Sequence, residues 1–271
     1  TLVLSSEDSL SNTNILKELI LEENVNTMWM TSTLFNQVVS IDYHVFDTIK
    51  NLIIGGEKLS EYFVKLFKNK NHFTRLMNGY GPTENTTFTT MYEIGETFTK
   101  IPIGKPISGT QIYILNNNSV CGIGVMGELC TTGEGVSNGY INLPELTSEK
   151  FINNPFGDGK MYRTGDIAKW LPDGNIEYVS RIDDQVKIRG FRIELQEVES
   201  IIRNIDGVID AVALVREKNI EEKELVAYYI SKNITGEEIK NIMLSSVPNY
   251  LIPDVFIPVI KIPLTINGKL D

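Results

Sequence analysis

Apolar and polar residues change their spacing twice along this chain. Over residues 13–23 the order TNILKELILEE sets apolar side chains three and four positions apart behind a Thr or Asn cap, which predicts a one-sided helix. The short runs VNTMWM (25–30) and IKNLII (49–54) predict strands, and a further helix is expected from about Ser60 to Asn69, after Gly55 and Gly56. Residues 74–77 then lead into the Gly-rich stretch NGYGPTEN at 78–85. Strands and helices alternating over about 1–99 predict a parallel α/β sheet, whose loops at the strand C-terminal ends form ligand crevices.

From about residue 100 to 180 the apolar runs shorten and are broken by Gly, Pro and Asn, as in QIYIL (111–115) and GELC (127–130), which predicts a β-rich, barrel-like region. After Asp183 a third texture begins. A helix is expected at about 195–204, strands at 211–215 and 225–230, and another helix after Thr235, so residues 184–271 are expected to form a separate small α+β domain behind a larger one at 1–183. No internal repeat or long low-complexity segment interrupts this order.

Composition narrows the function classes. A net charge of −10 over 271 residues repels nucleic acid. No apolar run reaches the length of a membrane span, and the opening TLVLSSEDSL lacks a basic leader, so a cytoplasmic protein without a membrane partner is expected. Cys121 and Cys130 are the only cysteines, too few for a disulfide framework, and the only histidines, His44 and His72, are not in ligand spacing with them, which argues against a zinc site. Asn-x-Ser/Thr triplets at Asn85, Asn117 and Asn233 are taken as chance. A chain starting at Thr1 without an initiator Met is expected to be a piece of something longer.

The candidate chemistry lies in a few short stretches. In residues 78–84 two glycines and a proline bracket Tyr80 in a tight turn that ends on the Thr83 hydroxyl and the Glu84 carboxylate, oxygen donors suited to phosphate and Mg²⁺. In YRTGD (162–166), Gly165 permits close approach of a ligand, and Asp166 is suited to accept from ribose hydroxyls. Tyr178 offers a stacking face and Arg181 a guanidinium for ribose or phosphate oxygens. Lys269, on the Gly turn NGK, is a mobile point charge able to neutralise a reacting phosphate. Singly, each has an ordinary structural explanation as a turn, cap or solvated charge.

In order, NGYGPTEN (78–85), GELCTTGEGVSNGY (127–140), YRTGD (162–166), SRIDDQVKIRGFRIELQEVE (180–199), VPNYLIP (247–253) and NGKLD (267–271) resemble the later core motifs of the adenylation domains of nonribosomal peptide synthetases, in the AMP-binding, adenylate-forming superfamily. The resemblance implies the acyl-CoA synthetase/luciferase-like fold: part of a parallel α/β layer, a distorted β-barrel region, and a small C-terminal lid domain. It implies that an amino acid and MgATP form an aminoacyl-AMP, which a carrier-protein phosphopantetheine thiol then takes. Asn78, Gly79, Tyr80, Gly81 and Thr83 would then form the nucleotide loop, with Thr83 on phosphate and Glu84 on Mg²⁺. Tyr178 would stack on adenine, Asp166 and Arg181 would hold the ribose, Asp183 would be the hinge, and Lys269 would serve the adenylation step. The implied pocket residues are Trp29, Ile53, Gly55, Gly79, Thr87, Phe88 and Lys269, a short apolar set that resembles the family's valine type.

The chain departs from the family pattern at Ser180, Gln196 and Asn138, all peripheral to the implied site. The family's Gly/Ser/Thr-rich phosphate loop and the Asp that pairs with the substrate amine would lie upstream of Thr1. The stretch alone is therefore expected to be inactive and aggregation-prone without that N-terminal half. A carrier domain and a neighbouring condensation domain are the implied partners, in secondary-metabolite or antibiotic synthesis. Two other readings stand beside this one: an acyl- or aryl-acid CoA ligase of the same superfamily, and a non-catalytic remnant that docks neighbouring domains.

Overall fold

The computed structural model describes residues 1–5, 10, 12–182, 185–217 and 223–263. Its contacts divide the chain into two compact units, Thr1–Asp183 and Asp184–Asp271. No helix among the described residues is long and apolar enough to cross a membrane.

The first unit opens with α1 (Thr13–Glu22), where the Asn12 side chain accepts hydrogen bonds from the N–H groups of Asn14 and Ile15 and Leu16 and Ile20 form the buried face. Strands β1 (Thr27–Thr31), β2 (Asn51–Gly55) and β3 (Arg75–Tyr80) run parallel. The antiparallel strands β4 (Thr90–Glu93) and β5 (Lys105–Pro106) extend them, in the order β1-β2-β3-β4-β5. Helices α2 (Ser32–Asp42) and α3 (Glu61–Lys68) make the two crossovers. The sequence pattern does not predict α2, because its Val-Val-Ser-Ile stretch has low intrinsic helix propensity; burial of Phe35, Val38 and Val39 overrides that preference.

Period-two alternation gives this sheet two distinct faces. Met30, Leu52, Ile54 and Leu76 pack with Phe35, Phe46 and Phe67 in one core, where Phe67 meets the other two rings edge-on at 5.5 and 5.7 Å. The odd-numbered positions, Trp29, Ile53, Gly55 and Gly79, turn to the opposite face and lie outside that core.

Residues 110–181 contribute β6 (Thr110–Asn116), β7 (Ser119–Val120), β8 (Gly127–Gly133), β9 (Phe151–Asn153), β10 (Lys160–Trp170) and β11 (Ile176–Arg181). They form a 6-stranded antiparallel sheet in the order β11-β10-β8-β6-β7, with β9 paired to β10. The β-rich texture is as predicted, but the sheet is open rather than a closed barrel. Among the described residues β11 and β7 lie at opposite ends of the path, and closure would require them to pair. The short helix α4 (Pro144–Lys150), absent from the sequence prediction, starts on a proline.

One bridge joins the two sheets of this unit: the Ile103 N–H donates to Ile176 O and the Ile176 N–H to Gly104 O, both at 2.8 Å. Gly104 sits at φ +91°, and a Cβ there would overlap the Met91 carbonyl. Gly104→Ala is expected to cost about 2–4 kcal/mol in combined backbone strain and overlap. A lowered urea midpoint checks this, and an unchanged one would contradict the packing described.

The second unit pairs β12 (Val186–Ile188) with β13 (Phe191–Ile193) in a hairpin, followed by α5 (Leu195–Arg203), β14 (Val208–Glu217), β15 (Lys223–Ser231), α6 (Gly236–Ser246) and β16 (Val255–Pro258). The predicted helices and strands are present, the strands longer than their apolar runs. The unpredicted β16 adds parallel to β15. A capping box between Thr235 and Glu238 starts α6, and Val198, Ile202, Ala211, Ala213, Ile239 and Met243 share the core of this unit.

Candidate active site

Asp166 on β10 stands directly opposite Arg181 on β11. The ladder slips by one residue just beyond, so that Ser180 faces Ile167, Tyr178 faces Ala168, and Val179 is the extra residue. In an unbroken strand, residues three apart point to opposite faces. The bulge instead sets Tyr178 and Arg181 against Ala168 and Asp166, which share one face.

Asp166 is 3% exposed, and each of its carboxylate oxygens has a protein donor. Arg181 Nη1 donates to Oδ1 at 2.8 Å, and the Tyr80 hydroxyl, from the end of β3, donates to Oδ2. Arg181 Nη2 reaches Thr164 O at 3.2 Å; the Thr164 hydroxyl accepts from the Asp166 N–H at 3.0 Å and donates to Leu129 O at 2.7 Å. Burial first, and then the adjacent Asp166 charge, hold the Tyr80 phenol well above its ordinary range, so it remains a donor. A carboxylate desolvated this far needs a charged partner, which Arg181 supplies. Tyr178 packs, partly buried, against the cluster that includes Tyr80, Ile103 and Ile176.

Glu128, which sequence reasoning missed, braces the same turn: its Oε1 accepts from the Gly165 N–H at 3.2 Å and its Oε2 from Arg163 Nε at 2.9 Å. A glutamate in an apolar strand was the available signal. Beside it, burial and then the Glu128 charge push the Cys130 thiol up to about 12, which keeps it a core side chain rather than a nucleophile.

Beyond Tyr80 the chain turns through a short 3₁₀ segment, Thr83–Asn85, which exposes Thr83 and buries Glu84. The Tyr140 hydroxyl donates to Glu84 Oε1 at 2.6 Å, and the Ser137 N–H donates to Glu84 O at 2.9 Å. Tyr140 is a second residue missed from sequence; it closes the GELCTTGEGVSNGY stretch that resembles a family motif. Among the described residues no group of three or more His, Cys, Asp or Glu could hold a metal by itself. A single buried carboxylate fits magnesium, which takes few protein ligands and completes its shell with substrate phosphates and water.

Among the candidate pocket residues, Trp29, Ile53, Gly55, Gly79 and Phe88 gather on the sheet face opposite the helices. Trp29 is in register with Ile53, and Gly55 with Gly79. A Cβ on Gly79 would lie 2.5 Å from the Phe88 ring and 3.1 Å from Ile53 Cγ2, while one on Gly55 would overlap Gly79 O and come within 3.7 Å of Trp29 Nε1. Thr87, at φ +69°, lies in the turn that brings Phe88 back over Gly79, and a Cβ on Gly81 would meet Thr87 O at 2.5 Å. The Asn78 amide donates to Pro102 O at 2.8 Å. Asp183 and Lys269 lie outside the described residues.

This combination of a parallel layer, an open antiparallel sheet and a small α+β unit is the fold of adenylate-forming enzymes. The chain superposes with a TM-score of 0.86 at 32% identity on PA1221, a nonribosomal peptide synthetase protein with adenylation and PCP domains, covering 96% of this chain and 46% of that one. It shares the fold of o-succinylbenzoate CoA synthetase (MenE) from Bacillus subtilis, with a TM-score of 0.84 at 20% identity over 96% of this chain and 53% of that one. A family profile described as AMP-binding enzyme matches residues 1–141. The chain belongs to the AMP-binding enzyme family, as an adenylation-domain sequence of the nonribosomal peptide synthetase type. It is 46% identical to tyrocidine synthase 3 of Brevibacillus parabrevis over 100% of its own length and 4% of that protein. With gramicidin S synthase 2 of Brevibacillus brevis it shares 43% identity, over 98% of this chain and 6% of the relative. It thus spans a small part of the synthetases it matches.

Proposed function

We propose that the polypeptide carrying this sequence activates valine as valyl-AMP and passes the acyl group to a carrier-domain phosphopantetheine thiol. A valine carboxylate oxygen attacks the α-phosphorus of ATP, the bond to the bridging oxygen breaks, and pyrophosphate leaves. The thiol sulfur then attacks the acyl carbon, AMP leaves, and the thiol proton passes to solvent. Magnesium, when bound, neutralises phosphate charge. Glu84 holds it, Thr83 meets phosphate, Tyr178 meets adenine, and Asp166 with Arg181 orients the ribose. Lys269 serves adenylation, and rotation about Asp183 of the lid formed by 184–271 withdraws it before transfer.

The observation that supports this reading most is the bond from Tyr80 to Asp166, which ties the turn carrying Thr83 and Glu84 to the Asp166–Arg181 pair. On this reading, the residues for phosphate and those for ribose are tied together through that bond. The apolar face of Trp29, Ile53 and Phe88 over two glycines supports a short branched side chain as substrate.

Amino-acid-dependent ATP–pyrophosphate exchange by the natural polypeptide tests the reading. Valine is expected to lead, with isoleucine and leucine behind by roughly 10–200-fold, the discrimination one methylene provides. Exchange with simple carboxylic acids alone would place the protein among CoA ligases, and no exchange by the folded polypeptide would leave only a docking role.

A further inference from the structure

Glu84 does not stand alone on its turn. The segment 131–140 ties the turn down: Asn85 Nδ2 donates to the Thr131 hydroxyl at 3.3 Å, the Thr86 hydroxyl to Gly135 O at 2.8 Å, and the Ser137 N–H to Glu84 O at 2.9 Å. The last tie in this series goes to the carboxylate itself, from the Tyr140 hydroxyl at 2.6 Å.

Tyr140 is in turn held from several sides. Its N–H donates to the Thr147 hydroxyl at 2.9 Å, its ring meets Phe151 edge-on with centroids 5.3 Å apart, and its hydroxyl lies 3.4 Å from that of Tyr162. Phe151 packs against Tyr162 at 4.9 Å, which closes an aromatic wall behind the phenol.

We propose that Tyr140 is a positioning residue for magnesium: its hydroxyl holds the Glu84 carboxylate in the orientation that meets the ion of MgATP. The proposal rests on the reading of Glu84 as the carboxylate that meets the metal. A glutamate side chain has several rotatable bonds, and a carboxylate free to sample them must be ordered when the ion arrives. A hydroxyl fixed by its own packing removes that cost beforehand. Partners of this kind typically alter metal affinity by roughly 10–100-fold when removed.

The test uses the natural polypeptide and its Tyr140→Phe variant, which loses one oxygen and keeps the ring against Phe151. Two quantities are measured: binding of Mn²⁺ in the presence of ATP, followed by the Mn²⁺ electron paramagnetic resonance signal, and the Mg²⁺ concentration that half-activates pyrophosphate exchange. The variant is expected to weaken Mn²⁺ binding and raise the Mg²⁺ requirement by about tenfold or more, with the amino-acid KM unchanged. In a Glu84→Gln background the same change is expected to have no further effect.

Equal Mn²⁺ binding by the two proteins would overturn the proposal, as would an equal loss in both backgrounds, which marks a structural role. If the natural polypeptide catalyses no exchange, the proposed function fails, while the Mn²⁺ comparison still decides the role of Tyr140. Failure of the natural polypeptide to bind Mn²⁺ with ATP would overturn both.

Discussion

Replacing Asp166 by Asn is expected to cost stability and activity together. The Asp166 and Arg181 side chains are 5% and 11% exposed, so the substitution removes a buried negative charge that the guanidinium meets directly. Breaking such a buried pair from one side costs about 3–5 kcal/mol. The amide must also present its NH₂ to one of two donors, the Tyr80 hydroxyl or Arg181, where the carboxylate accepted from both. Exchange activity is expected to fall by about 100-fold or more through loss of ribose orientation, in the range a misplaced substrate produces. Chemical denaturation together with ATP KM checks both parts. A variant as stable as the parent would contradict the buried pair, and a stable variant with unchanged ATP KM would remove Asp166 from the nucleotide site.

The second large effect is expected at Gly79, and it concerns selectivity. A methyl group there enters the space between the Phe88 ring and Ile53 Cγ2, at 2.5 and 3.1 Å. A ring edge can give way where backbone cannot, so Gly79→Ala is expected to fold, with the new methyl occupying the pocket floor. On the proposed reading, the added methyl competes with the methyl groups of a valine substrate, and each misplaced methylene costs about 1–3 kcal/mol. On that basis kcat/KM for valine is expected to fall by about 100-fold and that for alanine to change little. Measurement of kcat/KM across an amino-acid panel decides it. A uniform loss for all amino acids would mean that Gly79 serves the fold alone. Gly55 is a poor substitute for this test, because a side chain there runs into the Gly79 carbonyl on the adjacent strand.

Both experiments turn on residues whose types were legible in the sequence and whose arrangements were not. NGYGPTEN and YRTGD are visible as loops with oxygen donors, yet Tyr80 and Asp166 are 86 positions apart, and only the packing of two sheets brings them together. Tyr178 and Arg181 fall on opposite faces under strict alternation, and the bulge at Val179 brings them to one. Tyr140 and Glu128 escaped because neither has a neighbour in sequence that marks it; their significance is a bond across 56 residues to Glu84 and one across 37 to Gly165. Asn78 is a further case, since its amide donates to the Pro102 carbonyl 24 positions away, a bond the motif does not reveal.

Local order was decided by the sequence alone. Capped amphipathic stretches such as Thr13–Glu22, the short apolar strands and the order of the motifs depend on interactions within a few residues, whose spacing the helix and strand periods dictate. Tertiary structure decided the helix Ser32–Asp42, the open edge of the antiparallel sheet, the paired glycines beneath Phe88, and the hydroxyl on Glu84. Each of these depends on strand register and long-range burial, energies that no window of adjacent residues contains.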